Sequence, residues 1–171
     1  MSVTISFSSS VKIEERINLS EDYVERILQS LAELIFSDSQ IIAMSDFSDS
    51  LEDEDLEAEI GFYFCDDEEM QELNLKYRDL DAPTDVLSFS MQDEDTSVDL
   101  PVFSLGEVII STDKLAEQAR QNEHSNLNEL IILASHGVLH LLGIHHETSK
   151  ELHDILDIQQ RLLEAILDYY E

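Results

Sequence analysis

The segment His136-Gly137-Val138-Leu139-His140-Leu141-Leu142-Gly143-Ile144-His145-His146 gathers imidazoles at spacings suited to a single metal ion. His136 and His140 are four apart, so on a helix their rings project from one face, one turn apart. Gly143 can take the left-handed conformation that ends a helix, which lets the chain double back and aim a later histidine at the same point. Neighbours in a tight turn point in different directions, so His145 and His146 compete for that third place, and spacing alone leaves the choice open. One histidine on an apolar helix is ordinarily a core residue with a hydrogen-bond partner. Three at this spacing would be costly to bury unless a cation satisfied them together. Imidazole suits zinc, copper, nickel or iron, and three histidines with an open fourth position match catalytic zinc rather than a cysteine-rich structural site. His124 and His153 lie in polar helical contexts and are expected at the surface.

Zinc peptidases of the His-Glu-x-x-His kind carry a glutamate directly after the first histidine, as general base. Gly137 occupies that position here. The spacing of four and then six, with a glycine seven residues after the first histidine, nevertheless copies the longer metzincin pattern. Glu129 lies two helical turns before His136 on the same face and is too distant to be assumed the replacement for the missing base. The residues therefore describe a metal-dependent hydrolase that lacks the peptidase's own base.

Helices and strands must position these rings. Leu127, Leu130, Ile131, Leu133, Ala134, Val138, Leu139, Leu141 and Leu142 cover nearly the whole circumference of a helix over 126–142, capped by Ser125 and stopped by Gly143, which makes it the buried central element. Val3, Ile5 and Phe7 alternate with polar residues, as do the apolar positions of 57–64, so both segments read as half-buried strands. Val86 to Ser90 and Val108 to Ser111 read as two more strands. Helices are expected from the Ser20 cap to Phe36, over 67–76 after an Asp66/Glu69 capping box, over 113–121, and over 149–169 after Thr148 and Glu151. Ser37 to Asp55 reads mainly as a solvated acidic loop that Ile41 and Ile42 interrupt, and Gln92 to Asp99 as a protruding one. The order β-α-β-α-β-β-α-α-α is an α+β pattern, expected as one domain over residues 1–171.

The chain carries 39 acids and 9 bases, a formal net charge of −30. Such a surface is expected to repel nucleic acid at ordinary salt and argues against a wide basic groove. One reading is adaptation to a salt-rich cytoplasm, where the Debye length shrinks from about 8 Å to about 3 Å near molar salt; an acidic lineage or acidic loops is the plainer one. Cys65 is the single cysteine, so no internal disulfide can form, and a reducing, cytoplasmic setting is expected. It follows an alternating run and reads as a half-buried structural thiol. No uninterrupted run of 18 apolar residues is present, and neither membrane nor export is indicated.

The histidine segment resembles the His-Gly-x-Leu-His-Leu-x-Gly-x-Asp-His signature of the bacterial YbeY family, with His145 in place of the aspartate. Leu73-Asn74-Leu75-Lys76-Tyr77-Arg78 and Pro83-Thr84-Asp85-Val86-Leu87-Ser88-Phe89 are similar to the family's Leu-Asn, Tyr-Arg and Pro-Thr-Asp-Val-Leu-Ser-Phe-Pro elements, Ser90 replacing the last proline. Leu105-Gly106-Glu107-Val108 is similar to its Leu-Gly-Asp-Ile strand, with Glu107 for aspartate. The resemblance implies a zincin-like α+β fold, a mixed sheet of about four strands packed against helices, and a metal site at the end of the buried helix. It implies one zinc ion held by His136, His140 and His146. It also implies a single-strand-specific endoribonuclease of ribosomal RNA processing, 16S 3′-end maturation and ribosome biogenesis, with RNA and the small subunit or its assembly factors as partners. Arg78 becomes the expected catalytic group, since guanidinium grips a phosphodiester at two points and stabilises charge that develops during attack. A surface ion pair with Asp79 or Asp81 is the plain alternative for Arg78, and Lys76 and Lys114 could add local attraction. A zinc-peptidase-like hydrolase and a non-catalytic ribosome-assembly factor are the competing functional readings.

Overall fold

The computed structural model describes residues 1–51, 53, 55–91 and 102–170. The acidic segment 92–99 lies outside the described residues. Four strands, β1 (Ser2–Ser9), β2 (Glu57–Cys65), β3 (Val86–Ser90) and β4 (Val102–Ser111), form one mixed sheet in the order β1-β2-β4-β3. β1 and β4 run parallel to β2, and β3 runs antiparallel to β4 along the edge of the sheet. The expected α+β architecture with a four-stranded mixed sheet is therefore present.

Side-chain alternation divides the sheet between two cores. Val3, Phe62, Phe64, Val108 and Ile110 pack into the main one with α2 (Glu21–Ser37), α7 (Asn126–Leu141) and α8 (Ser149–Tyr170). On the opposite face Leu87, Ile109 and Cys65 meet Met70 of α5 (Asp67–Arg78), with Tyr63, Leu73 and Phe89 around them. α7 is buried on nearly every side, as its circumferential apolar pattern requires. The caps are those read from the sequence: Ser20, Asp66 and Ser125 each accept a backbone N–H three residues on. Thr148 and Glu151 bond reciprocally at the start of α8.

Three segments depart from expectation. Ser37 to Asp55 is no plain loop: it holds α3 (Ser39–Met44) and α4 (Ser48–Leu51). The Asp38 carboxylate caps α3, and Ile41, Ile42 and Leu51 enter the main core. A short helix α1 (Ile13–Ile17) buries Ile13 and Ile17, four apart, and was invisible because two apolar residues make no periodic pattern. β4 begins at Val102 rather than near Val108, because pairing with β2 continues across a register shift opposite Glu59 and Ile60. α6 (Thr112–Gln121) completes the helices.

Candidate metal centre

Two glycines set the geometry of the histidine segment. A Cβ on Gly137 would fall 2.5 Å from Val108 Cγ1, so glycine lets α7 lie directly on β4. The peptidase glutamate is therefore sterically excluded at this position. Gly143 has φ +78 and closes α7 in a Schellman turn, with Gly143 N–H donating to His140 O and Ile144 N–H to Leu139 O. A Cβ there would meet the Asp46 carboxylate at 2.2 Å. The turn carries His145 and His146 back beside the last turn of the helix, as the left-handed glycine was expected to do.

His136, His140 and His146 each present a potential ligand atom, and these atoms lie within 4.8 Å of one another. The ring centroids of His136 and His140 are 4.3 Å apart, and His146 stands 6.0 Å from each. His145 takes a different direction: its Nδ1 lies 3.2 Å from His140 Nδ1. His140 Nε2 is then the buried side-chain nitrogen that, among the described residues, has no hydrogen-bond partner. An orphaned imidazole nitrogen beside two further imidazoles fits a cation, and the donor set of three neutral nitrogens fits zinc-type chemistry.

Burial, reinforced by the neighbouring rings of His136, His145 and His146, lowers the His140 pKa to about 4. Burial also lowers that of His136, against the opposing pull of Asp85. Both rings are thus neutral and competent as ligands at neutral pH. Because the folded pKa of His140 lies below its unfolded value, the unfolded chain binds the proton first as pH falls. The metal-free protein is expected to lose stability from about pH 6.5 down to about pH 4. Thermal unfolding of metal-free wild-type and His140→Ala protein across this range checks it, the variant showing the shallower decline.

The rings open onto a cleft of about 760 Å³ along the outer edge of β3, lined by Tyr77, Arg78, Asp85, residues 86–90, His136, His140, Leu141 and His145. Arg78, on the last turn of α5, reaches this edge from the opposite sheet face. Its Nη2 donates to Ser88 O at 3.0 Å, and its guanidinium lies 5.5 Å from the Phe89 ring centroid. Among the described residues it makes no ion pair, with Asp79 and Asp81 or with any other acid. Ser88 Oγ donates to Gly137 O, tying the edge strand to the metal-bearing helix.

Asp85 is a cleft residue that spacing did not single out, although it stands inside the Pro83 to Phe89 motif. Its carboxylate accepts from Val86 N–H, Thr84 Oγ1 and Gln118 Nε2, which fixes it in the wall. Glu107 points elsewhere: it shares a register row with Gly61 and Phe89, on the sheet face away from Val108 and α7. Lys114 is bound to Asp67 and Glu117. His124 corrects the expectation of a surface residue, since its ring bonds the buried carboxylate of Glu129. His153 is exposed beside Asp157, as expected. Cys65 is fully rather than half buried, and burial pushes its thiol up to about 12, so it is inert as a nucleophile.

No helix among the described residues is long and apolar enough to cross a membrane. The family model described as Endoribonuclease YbeY matches residues 15–167. A relative from Oceanobacillus iheyensis carrying the name Endoribonuclease YbeY is 36% identical over 156 residues, covering 88% of this chain and 92% of its own. One of the same name from Bacillus thuringiensis is 36% identical over 171 residues, covering 96% and 97%. The fold is similar to that of a Thermotoga maritima protein determined in solution, with TM-score 0.57 and 23% identity over 98% of this chain and 91% of that one. With a family model spanning nearly the whole sequence and relatives aligned from end to end, the chain belongs to the YbeY endoribonuclease family.

Proposed function

We propose that this protein is a zinc-dependent endoribonuclease that cuts single-stranded RNA in the maturation of the 16S rRNA 3′ end, with His136, His140 and His146 holding the ion and Arg78 holding the scissile phosphate. The observation that carries the reading is the convergence of His136, His140 and His146, the first two lining a cleft that also presents Arg78, an arginine without a carboxylate partner among the described residues. A zinc ion held there supplies Lewis acidity toward a phosphoryl oxygen and toward water near neutral pH. Arg78 binds and orients the phosphodiester and stabilises charge that builds on its oxygens. Its hydrogen bond to Ser88 O keeps the guanidinium over the cleft. The ribosomal small subunit or its assembly factors would deliver the RNA.

Two features speak against the zinc-peptidase reading. Gly137 admits no side chain, and the β3 edge that would bind an extended peptide is already engaged on its outer side. Ser88 O accepts from Arg78, and Val86 N–H donates to the Asp85 carboxylate. Zinc-loaded protein is expected to cut labelled single-stranded RNA while leaving casein intact, and a chelator to stop the cutting until zinc is restored. Casein cleavage without RNA cleavage would replace the proposal with the peptidase reading. Ribosomal binding without cleavage of either would favour an assembly factor.

His145 adds a quantitative expectation. For His140 Nε2 to face the ion, the proton must sit on His140 Nδ1, and His145 Nδ1 is its acceptor. A carboxylate at that place would accept more strongly and make His140 a better ligand. His145→Asp is expected to tighten zinc binding about tenfold and His145→Ala to weaken it about tenfold, read by competition against a chromophoric chelator.

A further inference from the structure

We propose that the exposed ring of Tyr77 is a stacking subsite for an unpaired base of the RNA, beside the metal centre; the proposal rests on the endoribonuclease reading. Tyr77 stands on the last turn of α5, at the cleft, and is 53% exposed. Its ring is braced edgewise by Phe89, with centroids 5.1 Å apart at 62°. Lys76 Nζ lies 4.9 Å from the Tyr77 centroid, and the Arg78 guanidinium 5.5 Å from that of Phe89. Cation, ring, ring and cation thus form one continuous strip that leads to the histidines.

Of the 9 bases, Lys12, Arg16, Lys114 and Arg161 pair with carboxylates, whereas Arg26, Lys76, Arg78, Arg120 and Lys150 do not among the described residues. Arg26 lies over Tyr23, but among the described residues Tyr77 and Phe89 alone are a pair of rings in contact with a cation on each, and both line the cleft of the histidines. A cation at each end of the Tyr77–Phe89 ring pair suits a nucleotide, whose flanking phosphates take the charges while its base takes the exposed ring. Lys76, on a flexible four-carbon stem, can leave the ring face for a phosphate. A duplex keeps its bases stacked on one another and can fill the subsite only after unstacking, so the strip selects single strands. Because it is local, it operates within an acidic surface that forbids a wide basic groove.

The test compares a fluorescent single-stranded RNA with an abasic ribose-phosphate oligomer of equal length, both carrying cleavage-resistant 2′-O-methyl phosphorothioate linkages, by anisotropy on zinc-loaded protein in a chelator-free buffer with KCl held constant. Tyr77→Ala is expected to weaken RNA binding about tenfold and leave the abasic oligomer within about twofold, whereas Tyr77→Phe keeps the ring and the wild-type affinity for both. Lys76→Ala, which removes a phosphate contact, weakens both oligomers alike. Unchanged RNA binding by Tyr77→Ala, or equal loss for both oligomers, would overturn the stacking role. Wild-type protein that holds zinc but binds neither oligomer would instead overturn the RNA reading itself.

Discussion

Alanine at both His136 and His140 is expected to lower zinc-dependent cleavage of single-stranded RNA by about a thousandfold or more, since several kcal/mol of transition-state stabilisation leave with the ion. The ring contacts around the centre run through these two residues: His136 with His140, each of them with His146, and His140 with His145. Removing both leaves His146 without a partner able to share a cation. The fold should survive, because α7 is held by its apolar circumference and by its contact with β4 at Gly137, neither of which involves an imidazole. The variant should also escape the cost of keeping His140 neutral at acid pH. Single-turnover cleavage, bound-zinc content and thermal unfolding of the variant check the three parts together. A variant that binds no zinc yet cleaves at the wild-type rate would remove the ion from the reaction.

Arg78→Ala is expected to lower kcat/KM on RNA by about a hundredfold to a thousandfold, with zinc content unchanged. Arg78→Lys should recover little of this, because an ammonium keeps the charge but loses the planar fork that meets two phosphate oxygens. The unfolding midpoint should move little: Arg78 is exposed, and its hydrogen bond to Ser88 O goes to the outer edge of β3 rather than into the core. Steady-state kinetics and unfolding of both variants distinguish this from a structural role. If Arg78 were only a clasp between α5 and β3, stability would fall and lysine, donating to Ser88 O, would restore the rate.

The readable parts of the sequence were those in which one force acts with a fixed period. The apolar circumference of α7, the alternation of β1 and β2 and the Asp66, Ser125 and Thr148 caps all declare themselves locally and stand where they were expected. The histidine spacing with Gly143 announced a turn back toward His136, and the turn is there. Tertiary contacts decided the rest. Ile41, Ile42 and Leu51 sit among serines and aspartates that read as solvated, yet the main core draws them into two short helices. His124 looked like a surface residue because its partner, Glu129, is on the next helix and its burial depends on α7.

The choice between His145 and His146 shows the same limit at the site. Adjacent residues past a glycine differ only in the direction the turn gives them, and no composition or spacing encodes that. In the fold, His146 joins the cluster with His136 and His140, while His145 contacts His140 Nδ1. Asp85 was hidden differently: an aspartate after a proline and a threonine suits a turn, and only the packing of β3 against α7 puts it in the cleft wall. Gly137, read first as a missing base, proves to be a packing requirement set by Val108.

One zinc ion is expected among His136, His140 and His146, beside the cleft that Arg78 lines. Anomalous diffraction at the zinc absorption edge, from crystals of zinc-loaded protein, should show one strong peak within about 2.1 Å of a nitrogen of each of the three rings, with His145 outside the coordination shell. A peak ligated by His145 in place of His146, or zinc bound only at surface carboxylates, would contradict it.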